Sequence, residues 1–320
     1  EGAVLLKNAN NALPMDGTEY VSVFGANASK LGGYSLHKAL TDEGFTVNGK
    51  LQNYYVNNSA ETGAFNGSVK DSFRLYNDAA IVVISRGSGE STRGSGGSVA
   101  TAELADDANE NNGWTHAALA KNDDKKEVKH SLMLTNAELA MIATVKEAGF
   151  GKIVVLVSCA MPMEIKNLAD DNAIDTIMWI GSLGDNGAKA VAKILSGKVN
   201  PSGKTSDTWY TDFTADPTWY NLDDNSQSGG AGATYMLADG TQVASGLDYE
   251  EGIYRGYRFY ETRAYEMNQA NAESGDAWYN TAMTCLQHRI CQVVRRNGSQ
   301  RQRNGTCRQV CFLQGTRSGS

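Results

Sequence analysis

A chain of 320 residues, 41% of them hydrophobic, can hold one large domain or two small ones, and it contains no apolar run of about 18 residues that would read as a membrane span. Its formal charge is −7, yet seven Arg and no Lys, Asp or Glu follow residue 280, so 22 basic residues face 36 acids before it and residues 1–280 carry about −14. An acidic body disfavours nucleic acid, whose phosphates are bound by Lys and Arg, and suits a neutral partner such as a sugar.

The chain begins at Glu1, with no initiator Met and no signal-peptide pattern, inside sequence that reads as structured. It is therefore expected to be a piece of a longer protein, and localisation stays open. Tyr20–Gly25 is a short apolar run ending in Gly, a buried strand. Gly33–Glu43 follows with Leu36, Ala39 and Leu40 at helical spacing and Gly44 as its stop; His37 on this helix is expected at the surface. Phe45–Val47 can form a second strand. Asp78–Arg86 (DAAIVVISR) is continuous and β-branched, as expected for a strand covered on both faces, and Lys152–Ser158 and Ile174–Ile180 repeat that signature.

Helices are expected between these runs. Thr135–Gly149 opens with Thr135 and Glu138 at capping-box spacing and closes on Gly149. Pro162–Ala169 reads as a short helix with Pro in its first turn, and Asn186–Ser196 as another ended by Gly197. Strands alternating with helices predict an α/β fold, a three-layer sandwich with a mostly parallel sheet covered by helices on both faces. Two polar, Gly-rich stretches interrupt the pattern, Gly87–Lys129 and Asp223–Ser245.

Several segments, in this order, resemble the C-terminal-type domain of family 3 glycoside hydrolases. They are the opening Glu1-Gly-Ala-Val-Leu-Leu-Lys-Asn8 with Ala12-Leu-Pro14, and the turn Trp179-Ile-Gly181 with Gly184 and Gly187. Gly197-Lys-Val-Asn-Pro-Ser-Gly203 and Tyr249-Glu-Glu-Gly-Ile-Tyr-Arg-Gly-Tyr-Arg-Phe-Tyr260 complete the set. The resemblance covers roughly residues 1–265, read as the α/β-sandwich domain, with 266–280 as an exit segment. In their own right Gly181, Gly184 and Gly187 permit a tight strand-to-helix connection, and the aromatics of Tyr249–Tyr260 read as packing more readily than as sugar platforms.

The resemblance implies a retaining β-glycosidase acting on terminal β-glucosides or similar β-linked oligosaccharides, such as β-xylosides, without a cofactor. In this mechanism a nucleophilic carboxylate and an acid/base carboxylate sit about 5–5.5 Å apart. The family carries its Asp nucleophile on a (β/α)8 barrel, which these residues do not supply, so the fragment alone is expected to be inactive. Asp207, after the Asn200-Pro201-Ser202-Gly203 turn, belongs to the sandwich and reads as a surface or turn residue.

Ser85-Arg86-Gly-Ser88-Gly89-Glu90 is similar to the family's S-R-x-S-G-E segment, which implies that Glu90 is the acid/base. Glu90 follows a strand, where open α/β sheets bind ligands. The plain alternative is a solvated loop carboxylate. Arg86 and Ser88 either touch substrate or orient the loop, and Arg86 is the natural partner of a nearby acid. The family commonly continues G-x-D-R; this chain reads Ser91-Thr92-Arg93. A second function class remains open, a non-catalytic carbohydrate-binding or scaffold module.

Phe24-Gly-Ala-Asn-Ala-Ser29 follows a strand but lacks the glycine pattern of a dinucleotide site. Cys159, at a strand end, reads as buried rather than reactive. Residues 281–320 form an atypical Arg/Cys-rich tail, either disordered or out of frame; a basic interaction tail is a further option. Cys285, His288, Cys291, Cys307 and Cys311 have a C-x5-C-x15-C-x3-C spacing unlike common zinc sites, so no metal is expected.

Overall fold

Along the strand Ala79–Ser85, successive side chains enter two different cores. Ala80, Val82 and Ile84 pack on one side of the sheet, and Ala79, Ile81 and Val83 on the other. A strand that must be apolar on both faces reads as a continuous hydrophobic run. This is why the central strands were visible in the sequence.

The structure is a computed structural model that describes residues 2–57, 65–86, 133–212, 233–236, 242–246, 252–271 and 274–283. In chain order the first elements are β1 (Val4–Asn8), β2 (Tyr20–Phe24), α1 (Leu36–Glu43), β3 (Thr46–Val47), α2 (Gly49–Asn57), α3 (Gly67–Phe73) and β4 (Ala79–Ser85). Then follow α4 (Asn136–Glu147), β5 (Ile153–Ser158), α5 (Lys166–Ala169), β6 (Thr176–Trp179) and α6 (Gly187–Leu195). The last are β7 (Ala233–Met236), β8 (Gln242–Gly246), α7 (Tyr257–Ala270) and α8 (Ser274–Ala282).

The main sheet has the order β1-β6-β5-β4-β2-β3. Its pairs are parallel except β1, which runs antiparallel to β6 along one edge. One face is covered by α2, α3, α4 and α5, with Phe24 at the centre of an aromatic cluster. Its ring lies 5.7, 5.3 and 5.7 Å from those of Phe65, Phe73 and Phe150. The other face is covered by α1 and α6. The expected three-layer α/β architecture is therefore present.

Local chemistry explains most element ends. The Thr135 side chain accepts from the Glu138 N–H while the Glu138 carboxylate accepts from the Thr135 N–H, a complete capping box at the start of α4. Gly44 closes α1 as expected. Where the sequence suggested a helix from Pro162, only the turn Lys166–Ala169 is helical. Met163 and Ile165, two apart, are both fully buried, which requires extended rather than helical backbone there. Within the polar stretch Asp223–Ser245, β7 and β8 pair antiparallel as a small second sheet.

His37 is a correction to the surface position expected for it. Leu36, His37, Ala39 and Leu40 are all buried, because α6 packs along α1 and widens its covered arc. Neither ring nitrogen meets a partner at full hydrogen-bond geometry. Burial pushes its pKa down to about 4, opposed by the backbone at Ala28. Between the ordinary value of about 6.5 and about 4, the unfolded chain takes up a proton that the native chain refuses. The native state therefore keeps its full stability above that window and loses it as pH falls through it. Thermal unfolding of His37→Leu should show a weaker fall in Tm from pH 6.5 to 4 than the parent. Equal slopes would remove His37 as the cause.

Candidate functional site

The candidate site lies at the carboxyl edge of the parallel sheet. From β2 the chain passes to β3 on one side, and then reaches β4 on the other side of β2. The strand order thus reverses between β2 and β4, and ligands in open α/β sheets bind in the crevice outside such a switch point. Four strand exits gather at this edge: Gly25 after β2, Arg86 after β4, Cys159 after β5 and Gly181 after β6. The exits are tied to one another. The Arg86 N–H donates to the Ser158 carbonyl at 2.9 Å, the Ser158 hydroxyl to the Gly181 carbonyl at 3.1 Å, and the Trp179 indole to the Cys159 carbonyl at 2.6 Å.

Glycine is required at two points of the Trp179–Gly187 turn. Gly181 has a φ of 62°, in the left-handed region. A Cβ on Gly187 would come within 2.5 Å of the Leu183 side chain. The turn after β6 can therefore double back into α6 at the sheet edge.

Arg86 points into the protein. Its side chain is 2% exposed, and that of Glu138 8%. The guanidinium meets the carboxylate in a two-pronged pair, Nη1 to Oε1 at 2.7 Å and Nη2 to Oε2 at 2.8 Å. Nη1 also donates to the Ser85 carbonyl at 3.0 Å and Nη2 to the Met133 carbonyl at 2.7 Å. Glu138 Oε2 accepts in addition from the Thr135 N–H at 2.9 Å. The expectation that Arg86 pairs with a nearby acid is met, and the acid is Glu138. Glu138 was legible as half of a capping box, but its second partner, 52 positions away, was not.

Ser88 and Glu90 lie outside the described residues, as do Cys285, His288, Cys291, Cys307 and Cys311. Cys159 is fully buried. Asp207 is exposed, and its carboxylate accepts from the Ser206 hydroxyl at 3.1 Å. No group of three or more His, Cys, Asp or Glu suited to a metal ion occurs among the described residues.

The aromatic residues before and within α7 divide. Tyr260 is buried, stacked on Tyr210 at 4.9 Å and on Trp278 of α8 at 5.6 Å. Tyr254 and Tyr257 are exposed. Trp209 is buried against Trp179, ring to ring at 6.4 Å. The Asn200–Gly203 turn is held where the Gly203 N–H donates to the Ala3 carbonyl at 2.9 Å.

Residues 3–257 match the model of the glycosyl hydrolase family 3 C-terminal domain. The chain belongs to this family. β-Glucosidase A of Butyrivibrio fibrisolvens is 28% identical over 292 residues, 82% of this chain and 31% of that protein. β-D-Xylosidase 1 of Arabidopsis thaliana is 26% identical over 212 residues, 66% of this chain and 24% of that protein. The chain thus spans less than a third of the length of these relatives. Among solved structures, β-glucosidase 3B from Thermotoga neapolitana, in complex with glucose, shares the fold with a TM-score of 0.57 at 23% identity; the match covers 81% of this chain and 34% of that one. A β-glucosidase from Paenibacillus barengoltzii matches with a TM-score of 0.55 at 24% identity, covering 81% and 26%. The family 3 domain therefore carries its fold here with the strand exits intact.

Proposed function

We propose that this family 3 domain is the acid/base-bearing half of a retaining β-glycosidase that hydrolyses terminal β-glucosides or similar β-linked sugars. Glu90 protonates the glycosidic oxygen as the bond breaks, and then takes a proton from the water that releases the glycosyl group. The nucleophile is an Asp on a (β/α)8 barrel beyond these residues. Ser88 hydrogen-bonds substrate, and Arg86 anchors the segment between strand and acid. The carrying observation is the position of Arg86, at the end of β4 and beside the strand-order reversal, four residues before Glu90. The named relatives, a β-glucosidase and a β-xylosidase, support the substrate class. The acidic body, about −14 over residues 1–280, suits a neutral sugar.

A general acid works best with its pKa near the working pH, which burial and a neighbouring carboxylate provide. An exposed carboxylate on the sandwich alone lacks both, and the barrel would supply them. Hence the 320-residue chain by itself is expected to release no nitrophenol from nitrophenyl β-glucoside or β-xyloside, while the chain joined to its barrel does. Turnover by the chain alone at a comparable rate would overturn the division of labour. A well-folded joined protein with no turnover on either substrate would favour a binding or scaffold module instead.

A further inference from the structure

The segment 87–132 leaves the sheet at Arg86 and returns at Met133, and one side chain joins the two points. Arg86 Nη2 donates to the Met133 carbonyl, and both guanidinium nitrogens of the fork hold Glu138 on the first turn of α4. We infer that Glu138 is a positioning residue for the acid/base chemistry, acting through Arg86 to fix the root of the segment that carries Glu90. This rests on the proposed role of Glu90.

Three observations lead to it. First, Glu138 has two tasks that share one oxygen. Oε2 caps α4 by accepting from the Thr135 N–H and also receives Arg86 Nη2. The capping box thereby fixes the carboxylate before it meets the guanidinium, and a planar fork on a fixed carboxylate sets direction as well as distance. Second, the pair is buried to 2% and 8% exposure, so water does not screen it and both ends are held. Third, the Arg86 backbone is fixed too, by its N–H bond to the Ser158 carbonyl at the end of β5. Only Gly87, Ser88 and Gly89 separate this doubly anchored residue from Glu90. Glycines add freedom, so the direction in which the chain departs has to be set at the anchor. A misplacement of about 1 Å in a catalytic group can cost on the order of a hundredfold in rate.

The test uses the chain joined to its barrel and two substrates, cellobiose, with a poor leaving group, and dinitrophenyl β-glucoside, whose leaving group needs no proton. Glu138→Gln and Arg86→Lys should each lower kcat on cellobiose by about tenfold or more, with KM little changed and cleavage of the aryl bond in a single turnover nearly unaffected. In a Glu90→Gln background, Glu138→Gln should cost nothing further on cellobiose. A uniform loss on both substrates, or full additivity with Glu90→Gln, would reduce Glu138 to a structural residue and overturn the inference. If Glu90→Gln alone cripples cellobiose hydrolysis while Glu138→Gln does not, the positioning role fails and the acid/base assignment stands. If Glu90→Gln leaves cellobiose hydrolysis unchanged, the assignment itself fails and the inference falls with it. Should Glu138→Gln fold poorly, Arg86→Lys, which keeps the charge and loses the fork, decides by the same readouts.

Discussion

Glu90→Gln, in the chain joined to its barrel, is expected to slow the hydrolysis of unactivated β-glucosides by about 10²–10⁴-fold, the range typical of a lost general acid. The amide matches the carboxyl group in size but has no proton to give to the departing oxygen. Substrates whose leaving group is already a stable anion need little protonation, so their first bond should still break. Release of the glycosyl group by water then becomes slow, because Gln cannot accept water's proton. On dinitrophenyl β-glucoside the variant should show a burst of dinitrophenol followed by slow turnover, with a lowered KM. Glu90→Gly should regain aryl-glucoside turnover with added azide, which needs no base. A small equal loss on both kinds of substrate, with no burst and no azide effect, would return Glu90 to being a solvated carboxylate.

The sequence made some parts of this fold easier to read than others, and the reasons are physical. β4, β5 and β6 stand out because burial on both faces demands uninterrupted apolar residues. α4 is legible because its capping box is a local pattern of four residues. β1 was visible only as a matching entry segment. It is an edge strand with alternating burial and a register shift between Leu5 and Lys7, so its signal is short and broken. α2 was missed although its start carries a cap: the Asn48 side chain accepts from the N–H groups of Lys50 and Leu51. Leu51 and Tyr55 are its only buried residues, too few for a clear helical stripe. His37 was misplaced because its neighbour α6 is distant in sequence.

The site follows the same division. Glu90 was found through the family segment, not through any property of the residues alone. The strand-order reversal that gives its position meaning depends on which strands pair, and no local pattern encodes pairing. Glu138 is the clearest case. Its capping role is local and was read; its ion pair with Arg86 joins the two ends of a long insertion and becomes visible only when β4 and α4 are packed together.

That ion pair also carries the second large effect. Arg86→Met is expected to destabilise the chain by about 3–5 kcal/mol, the range for removing one partner of a buried pair. The cost comes from what remains. Glu138 would be left almost fully buried with one backbone N–H partner from the cap among its recorded hydrogen bonds, and a carboxylate there must either stay charged without its counterion or take up a proton. Glu138→Leu should cost a similar amount by stranding the guanidinium, and it also removes half of the capping box. Arg86→Met combined with Glu138→Leu should be considerably more stable than the sum of the two losses, because apolar side chains of similar bulk leave no buried charge. Denaturant unfolding of the parent, both single variants and the double variant measures this directly. Simple additivity would mean that the two side chains do not depend on each other in solution, and the anchor at the root of the 87–132 segment would then have to be sought elsewhere. Strong non-additivity in stability, together with a joined double variant that folds yet hydrolyses cellobiose poorly, would separate holding the fold from aiming the acid. The paired swap restores the first and cannot restore the second.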